Sequence, residues 1–458
     1  MPQPSSACPT ESRAERVEAI MKQLLPKIEQ TVRQLVEKAV DVPEAEEFGA
    51  IDFEFRDAGL DLANEVRQAG VASRKKKGYV GCSVTCPDCQ YAAKFHSYQQ
   101  RRVQTVHGDL QVARAYYYCQ RCHQSFLPYD DVLGLVDEIS PGLMPLVCLA
   151  GTLAPFADAA EDVLRRFTGV VMSASTVLRA TEANGERLRA QQKEGRMVEP
   201  TQPEPAWQGP REGQEPVAYI GLDAFSVPMQ GIGAGRAEHR MLYTALLYTP
   251  HKEHTRYLVE FELDKLAEQV RSQARALGIA AVQDVIAITD GGNGLEEALQ
   301  RNLADNLTTI LDWYHAVEHL CDFAAVFHPK DETARDAWAA EAKTILYERG
   351  GTALLEHLHA VDWPPGMGVE AREELRKLLG YFENNRHRTD YPRYRACGWD
   401  IGSGPTEAGC KIIGERLKGS GMRWVEDGAA TVATLRALYV SGGKVWDGFW
   451  AQPHRRAA

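Results

Sequence analysis

Residues 284–303 read DVIAITDGGNGLEEALQRNL. A β-branched run ends on an acid at Asp290, a glycine-rich turn follows, and apolar residues then recur at helical spacing. The stretch predicts a strand, a tight turn and a helix. Downstream, LTTILDW (307–313) predicts another strand that closes on an acid, Asp312. Upstream, DKLAEQVRSQARALGI (264–279) has the pattern of an amphipathic helix. MLYTALLYT (241–249) and TRYLVEFEL (255–263) are strands, and they form a meander with PVAYIGLDAFSV (216–227), a buried strand ending near Asp223.

Strand–strand–strand–helix–strand–helix–strand resembles the order of the ribonuclease-H-like fold. In that fold the first and fourth strands are parallel neighbours. The resemblance therefore brings Asp223 and Asp290 together at strand ends, where open α/β sheets place their sites. Two carboxylates so close repel unless a cation lies between them. Magnesium, a hard ion that leaves room for phosphate oxygens, suits such a pair, and two such ions can clamp a phosphodiester. A third carboxylate is sought on a helix. GWDIGSGPTEAGCKIIGERLKGSGMRW (398–424) offers Glu407 in a first helical turn, after Pro405. Lys411, Arg416, Lys418 and Arg423 follow, a phosphate-facing pattern.

Ahead of this core, Cys86-Pro-Asp-Cys89 and Cys119-Gln-Arg-Cys122 flank two β-rich runs joined at His107-Gly108-Asp109. Two C-x-x-C knuckles brought together by a hairpin predict a structural zinc site, with four sulfur ligands and no open position. The chain has 10 cysteines, and the remaining six are scattered. Residues 156–188, FADAAEDVLRRFTGVVMSASTVLRATEANGERL, read as helix, Thr168-Gly169 turn and capped helix, the pattern of a helix-turn-helix or equally of any αα-hairpin, with Arg165, Arg166 and Arg179 as basic residues for DNA. Five prolines within residues 200–216 mark a stiff linker.

At the N-terminus, residues 1–16 read as a disordered tail and residues 13–40 as a surface helix pair interrupted at Pro26, or as a partner or dimer helix. Between Asp312 and Glu407 the pattern is helical throughout. It ends in ENNRHRTDYPRYR, where Arg386, Arg388, Arg393 and Arg395 interleave with Tyr391 and Tyr394, a pattern suited to DNA backbone contact and base stacking or equally to a solvated hinge.

Composition is that of a globular protein: 458 residues, 44% hydrophobic and 25% charged, with a net charge of −11. That charge rules out a uniformly basic coat but not local phosphate grips such as Arg74–Gly78. No apolar run reaches membrane-spanning length, so a cytoplasmic, nucleoid-associated protein without membrane partners is expected.

Taken together, GLDAF, ITDGGNG, ILDWYHAVEHL, the segment from GYFENN through TEAGCK, and RLKGSGMRW resemble a DDE-class insertion-sequence transposase of the ISKra type, over about residues 80–450. The resemblance implies Asp223, Asp290 and Glu407 as catalytic acids holding two magnesium (or manganese) ions. It implies cleavage and strand transfer of double-stranded DNA, at the element's terminal repeats and at the target, by a homodimer or larger assembly. Asp312-Trp-Tyr-His315 is similar to the C/D-x-x-H signature of Mutator-like transposases, which gives Asp312 and His315 supporting roles. The same segment contains His315-Ala-Val-Glu318-His319, the H-x-x-E-H box of inverted zinc peptidases, but no other segment offers a third ligand.

The expected fold is a multidomain α/β protein. It has an N-terminal helical region (1–79), a zinc ribbon (80–135), a helix-turn-helix-like region (136–198) and a linker (199–216). A ribonuclease-H-like core (217–312 and 401–450) follows, interrupted by an all-α insertion (313–400). The competing expectation is a catalytically silent, transposase-derived DNA-binding protein.

Overall fold

The computed structural model describes residues 12–44, 46, 49, 51–135, 138–231, 238–279, 282–292, 294–303 and 307–452. Residues 1–11 of the expected tail lie outside them. The chain forms two compact units, one comprising the described residues up to Ala150 with Phe156–Ala180, the other Gly151–Pro155 with Thr181–Gln452. Among the described residues no helix is long and apolar enough to cross a membrane.

The first unit opens with α1 (Arg13–Asp41) and α2 (Asp52–Ala72). The helix expected to break at Pro26 runs straight through it, and residues 13–16, read as tail, are its first turn. An interior proline costs roughly 3 kcal/mol. Against that cost, Ser12 and Glu15 form a reciprocal capping box, and α1 packs on α2 with Leu24 buried. Next come β1 (Ser83–Thr85), β2 (Ala92–Thr105), β3 (Gly108–Tyr118) and β4 (Ser125–Phe126), an antiparallel sheet in that order. The β2–β3 hairpin closes at Thr105↔Gly108, where Gly108 takes a φ of 118°.

α3 (Pro128–Leu133) and α4 (Met144–Leu153) lead to one α-helical turn, Phe156–Asp158, which continues as a π-helix, Ala159–Thr168. Gly169 (φ 75°) ends it, and α5 (Ala174–Lys193) follows. The first helix of the expected helix-turn-helix is therefore mostly π-helical, a wider form than that motif uses. The Pro-rich residues 199–216 lie within the second unit. There Glu204 pairs with Arg256 (2.9 Å) and Trp207 Nε1 donates to the Leu277 carbonyl.

The second unit is built on β5 (Val217–Met229), β6 (Glu238–Tyr248), β7 (Arg256–Glu260), β8 (Asp284–Thr289) and β9 (Leu307–Leu311). Their order is β7-β6-β5-β8-β9; the meander β5–β6–β7 is antiparallel, and β8 and β9 are parallel to β5. Both faces of the sheet are covered, which is why the first half of β5 is an unbroken apolar run. Ala218, Ile220 and Leu222 face α6 (Leu263–Ala276) and α7 (Leu295–Asn302), through Leu266, Val270, Leu295 and Leu299. Val217, Tyr219, Ile286 and Ile288 face the opposite layer.

That layer contains α8 (Trp313–Phe327), α9 (Glu332–Ala360), α10 (Val369–Asn384) and α11 (Tyr391–Ala396). Every described element between β9 and α12 (Gly404–Leu417) is helical. α12 lies against β5, α13 (Glu426–Val440) against β7, and α14 (Gly443–Ala451) closes the described chain.

Candidate functional site

The β5–β8 register runs from Val217↔Asp284 to Gly221↔Ile288. Two residues further along each strand stand Asp223 and Asp290. Side chains alternate along a strand, so Asp223 follows Tyr219 onto one face of the sheet and Asp290 follows Ile286 and Ile288 onto the same face. Asp223 is not at a strand end: β6 continues to pair with β5 as far as Met229↔Glu238. It lies instead just past the last β5–β8 pair, beside the point where β8 stops. Burial pushes the Asp290 carboxyl above its usual range, and the charge of Asp223 adds to this. The Gly292 N–H (3.2 Å from Oδ1) and His315 work against that shift.

Asp312 follows β9 and caps α8. Fully buried, it accepts from the His315 backbone N–H at 2.8 Å, lies 3.1 Å from His315 Nδ1, and receives the Ser403 N–H on its other oxygen. Burial alone would raise its pKa, but the hydrogen bonds from His315 and Ser403 hold it below the usual range. In return Asp312 lifts His315, against burial, to about 9. His315 is therefore an imidazolium at neutral pH.

Glu407 sits in the first turn of α12 and accepts a hydrogen bond from the Ser403 hydroxyl. This helix lies close on β5 because Gly221 has no side chain: a Cβ there would stand 1.7 Å from Thr406 Oγ1. On the next turn, the Cys410 thiol is held protonated by burial and by the neighbouring Asp223 carboxylate. Asp312, His315 and Glu407 bring ligand atoms within 4.8 Å of one another. Among the described residues, Asp223 and Asp290 are not part of that close group, and neither are Glu318 and His319 of the peptidase-like box. The His319 ring instead lies tilted against Tyr381, with ring centroids 3.9 Å apart.

The four cysteines of the ribbon form the other close group. Cys86 and Cys122 sulfurs are 3.6 Å apart, and Cys89 and Cys119 sulfurs 3.5 Å. Four thiolates at ~2.3 Å from zinc in a tetrahedron would have edges of roughly 3.8 Å. The two knuckles are built alike. Cys86 N donates to the Tyr91 carbonyl and Cys119 N to that of Gln124; Gln90 N donates back to Cys86, His123 N back to Cys119. Gln90 and His123 share a φ of 59°. Backbone N–H groups, that of Cys122 foremost, lower Cys119 to about 7. The residues present fit a zinc ion.

The predicted DNA contacts divide. Arg165, Arg166 and Arg179 are exposed, the first two paired with Glu161 and Asp162. Lys411, Lys418 and Arg423 are exposed, and Lys411 and Lys418 continue the Glu407 face of α12. Arg386 and Arg393 are exposed, while Arg395 lies over the Tyr347 ring at 3.5 Å.

Arg388 does not face nucleic acid. It is 2% exposed and donates to Thr289 Oγ1, the Asp290 carbonyl and Asn385 Oδ1. Tyr391 and Tyr394 are buried as well, with the Tyr391 hydroxyl on the Leu311 carbonyl, so neither is placed to stack on a base. Arg416 is likewise buried. Arg388 thus fixes the backbone that carries Asp290. Sequence reasoning also missed Ser403, which joins Asp312 to Glu407; its N-cap position in GSGPTE was the available signal.

Residues 90–258 match the model of an uncharacterised protein family (UPF0236). The match includes Cys119, Cys122 and Asp223 and stops short of Asp290, Asp312, His315 and Glu407. No curated protein matches the chain.

Proposed function

We propose that this chain is a DNA transposase of the ISKra type. It binds the ends of its insertion sequence and carries out cleavage and strand transfer through Asp223, Asp290 and Glu407. The observation that carries the reading is the strand pairing. Order β7-β6-β5-β8-β9, with β5 and β8 parallel, supports a ribonuclease-H-like core. Its register, extended by two residues, sets one acid beside the other on one face. The family match is compatible with a transposase.

The donors at Asp223, Asp290 and Glu407 are hard oxygens, and two carboxylates on adjacent strands favour a cation between them. Bound there, magnesium would act as a Lewis acid on the phosphodiester. The rest is done by the chain itself. Gly221 lets α12 bring Glu407 towards β5. Ser403 and Asp312 hold Glu407 and His315 in place. The His315 cation is suited to a phosphate oxygen, and Lys411 and Lys418 extend positive charge along the same helix. In the first reaction water attacks phosphorus and breaks the P–O3′ bond, leaving a 3′-hydroxyl at the element's end. In the second, that hydroxyl attacks a target phosphodiester and expels a target 3′-hydroxyl.

The competing reading, a silent DNA-binding protein, keeps the ribbon and basic surfaces and lacks the chemistry. The test is magnesium-dependent nicking of DNA that carries the element's ends. The transposase reading expects nicking by the unaltered protein and none by Asp290→Asn, with DNA binding retained. Binding without nicking by the unaltered protein refutes it, and equal nicking of random DNA points to a plain nuclease.

A further inference from the structure

At its cysteine end the sheet of the first unit presents two unlike faces. Directly paired residues share a face, and successive residues along a strand alternate. On one face Val84, Ala93, Phe95, Tyr117 and Phe126 pack around the four cysteines. The opposite face is open. One row of pairs crosses it, Ser83↔Lys94, Lys94↔Tyr118 and Tyr118↔Ser125, and Ser83, Lys94 and Ser125 are exposed. Tyr116, two residues before Tyr118 on β3, shares that face, and both tyrosines are half-buried. The register shifts between Phe95 and Ser97, which makes His96 the extra residue of a β-bulge. Its exposed ring stands edge-on to Tyr116, with centroids 5.7 Å apart. Tyr118 Oη lies 2.9 Å from His123 Nδ1, a contact that fixes its ring. Aromatic rings held on the solvent side of a sheet, beside a lysine, form a binding surface.

We infer that this face binds single-stranded DNA, stacking a base on each of Tyr116 and Tyr118 and setting a phosphate near Lys94. Charge points to a polyanion. Residues 74–125 hold nine Lys and Arg against two Asp, in a chain whose net charge is −11. Arg101, Arg102 and Arg114 are held in ion pairs, while Lys94 and Arg121 are exposed at the cysteine end of the sheet. The rings decide the form of the polyanion. In a duplex each base face is covered by its neighbours, whereas an unpaired strand offers its faces to aromatic side chains. Residues two apart on a strand are about 6.6–6.8 Å apart, twice the ~3.4 Å rise of stacked nucleotides, so each ring can take its own base. An acidic peptide would answer the charge and leave the rings unused. The choice of DNA over RNA rests on the transposase reading; the stacking face itself is read from the sheet.

Fluorescence anisotropy on the full chain, without magnesium, tests it. The probe is a labelled oligothymidylate of about twelve nucleotides, and the same strand paired with oligoadenylate is the duplex control. The unaltered protein is expected to bind the single strand. Tyr116→Val/Tyr118→Val keeps a strand-forming residue at both positions. It is expected to weaken single-strand binding at least about thirty-fold and to change duplex binding less than about twofold. Tyr116→Phe/Tyr118→Phe keeps both rings and should bind the strand like the parent. Lys94→Gln, outside the packed face, should weaken strand binding about threefold or more. No binding of the single strand, equal losses for strand and duplex in the valine variant, a phenylalanine variant as weak as the valine one, or a strand affinity untouched by Lys94→Gln overturns the proposal. Tighter binding of the matching oligouridylate gives the face to RNA and overturns the assignment to DNA. A parent that binds the strand in this way yet never nicks end-containing DNA refutes the transposase reading and not the stacking, so the two failures are read apart.

Discussion

Adding one methyl group at Gly221 tests how α12 is positioned. The Cβ of Gly221→Ala would stand 1.7 Å from Thr406 Oγ1, 2.8 Å from its Cβ and 3.1 Å from its Cγ2. Non-bonded carbons settle at about 3.5–4.0 Å, so helix or strand must yield by roughly 1–2 Å. Thr406 is fully buried and cannot swing into solvent. Overpacking of this kind costs about 1–3 kcal/mol. For a unit of this size that is a fall in melting temperature of roughly 2–5 °C. Because Glu407 is the next residue, the same shift moves its carboxylate, and a 1 Å displacement of a reacting group is worth about 10²-fold in rate. Differential scanning calorimetry reads the first effect and end-nicking the second. Gly221→Ala/Thr406→Gly should recover part of the lost activity, since the obstructing side chain is gone. A Gly221→Ala protein that melts and nicks like its parent would show that the Gly221–Thr406 approach does not position α12.

Arg388→Ala leaves Glu296 and the Thr289–Asp290 backbone without their buried partner and should cost about 3–5 kcal/mol in urea unfolding. Arg388→Lys should restore little of it, because an ammonium cannot reproduce the forked contacts. The raised His315 pKa favours the folded state fully below about 6.5 and loses its contribution as pH rises through about 9. Without metal, the melting temperature should therefore fall across that window, and subtracting the His315→Gln profile should remove the fall; parallel profiles contradict the assignment. One zinc per chain is expected by elemental analysis, lost in Cys89→Ser/Cys119→Ser together with the folded signature of the ribbon. Zinc retained by that variant would place the metal elsewhere.

The core strands were legible because their residues declare themselves locally. VAYIGL, DVIAIT and LTTIL are apolar and β-branched, and the observed β5, β8 and β9 begin where these runs begin. The cysteine knuckles were legible for the same reason, since both halves of each C-x-x-C lie within four residues. Arg388 was not. Its neighbours in sequence are polar and basic, and its burial depends on Thr289, Glu296 and Asn385, the first two more than ninety residues away in the chain. Pro26 misled because a proline's local cost is visible in sequence whereas packing on α2 is not. The close approach at Gly221 shows only when Thr406 is seen against it.

The proposed chemistry requires Asp223 and Asp290 to share an ion. Anomalous scattering from crystals of the protein soaked in manganese locates bound ions directly. The account predicts density between Asp223 and Asp290, with Glu407 turned towards it. Density confined to Asp312, His315 and Glu407, with nothing between the two aspartates, would contradict it.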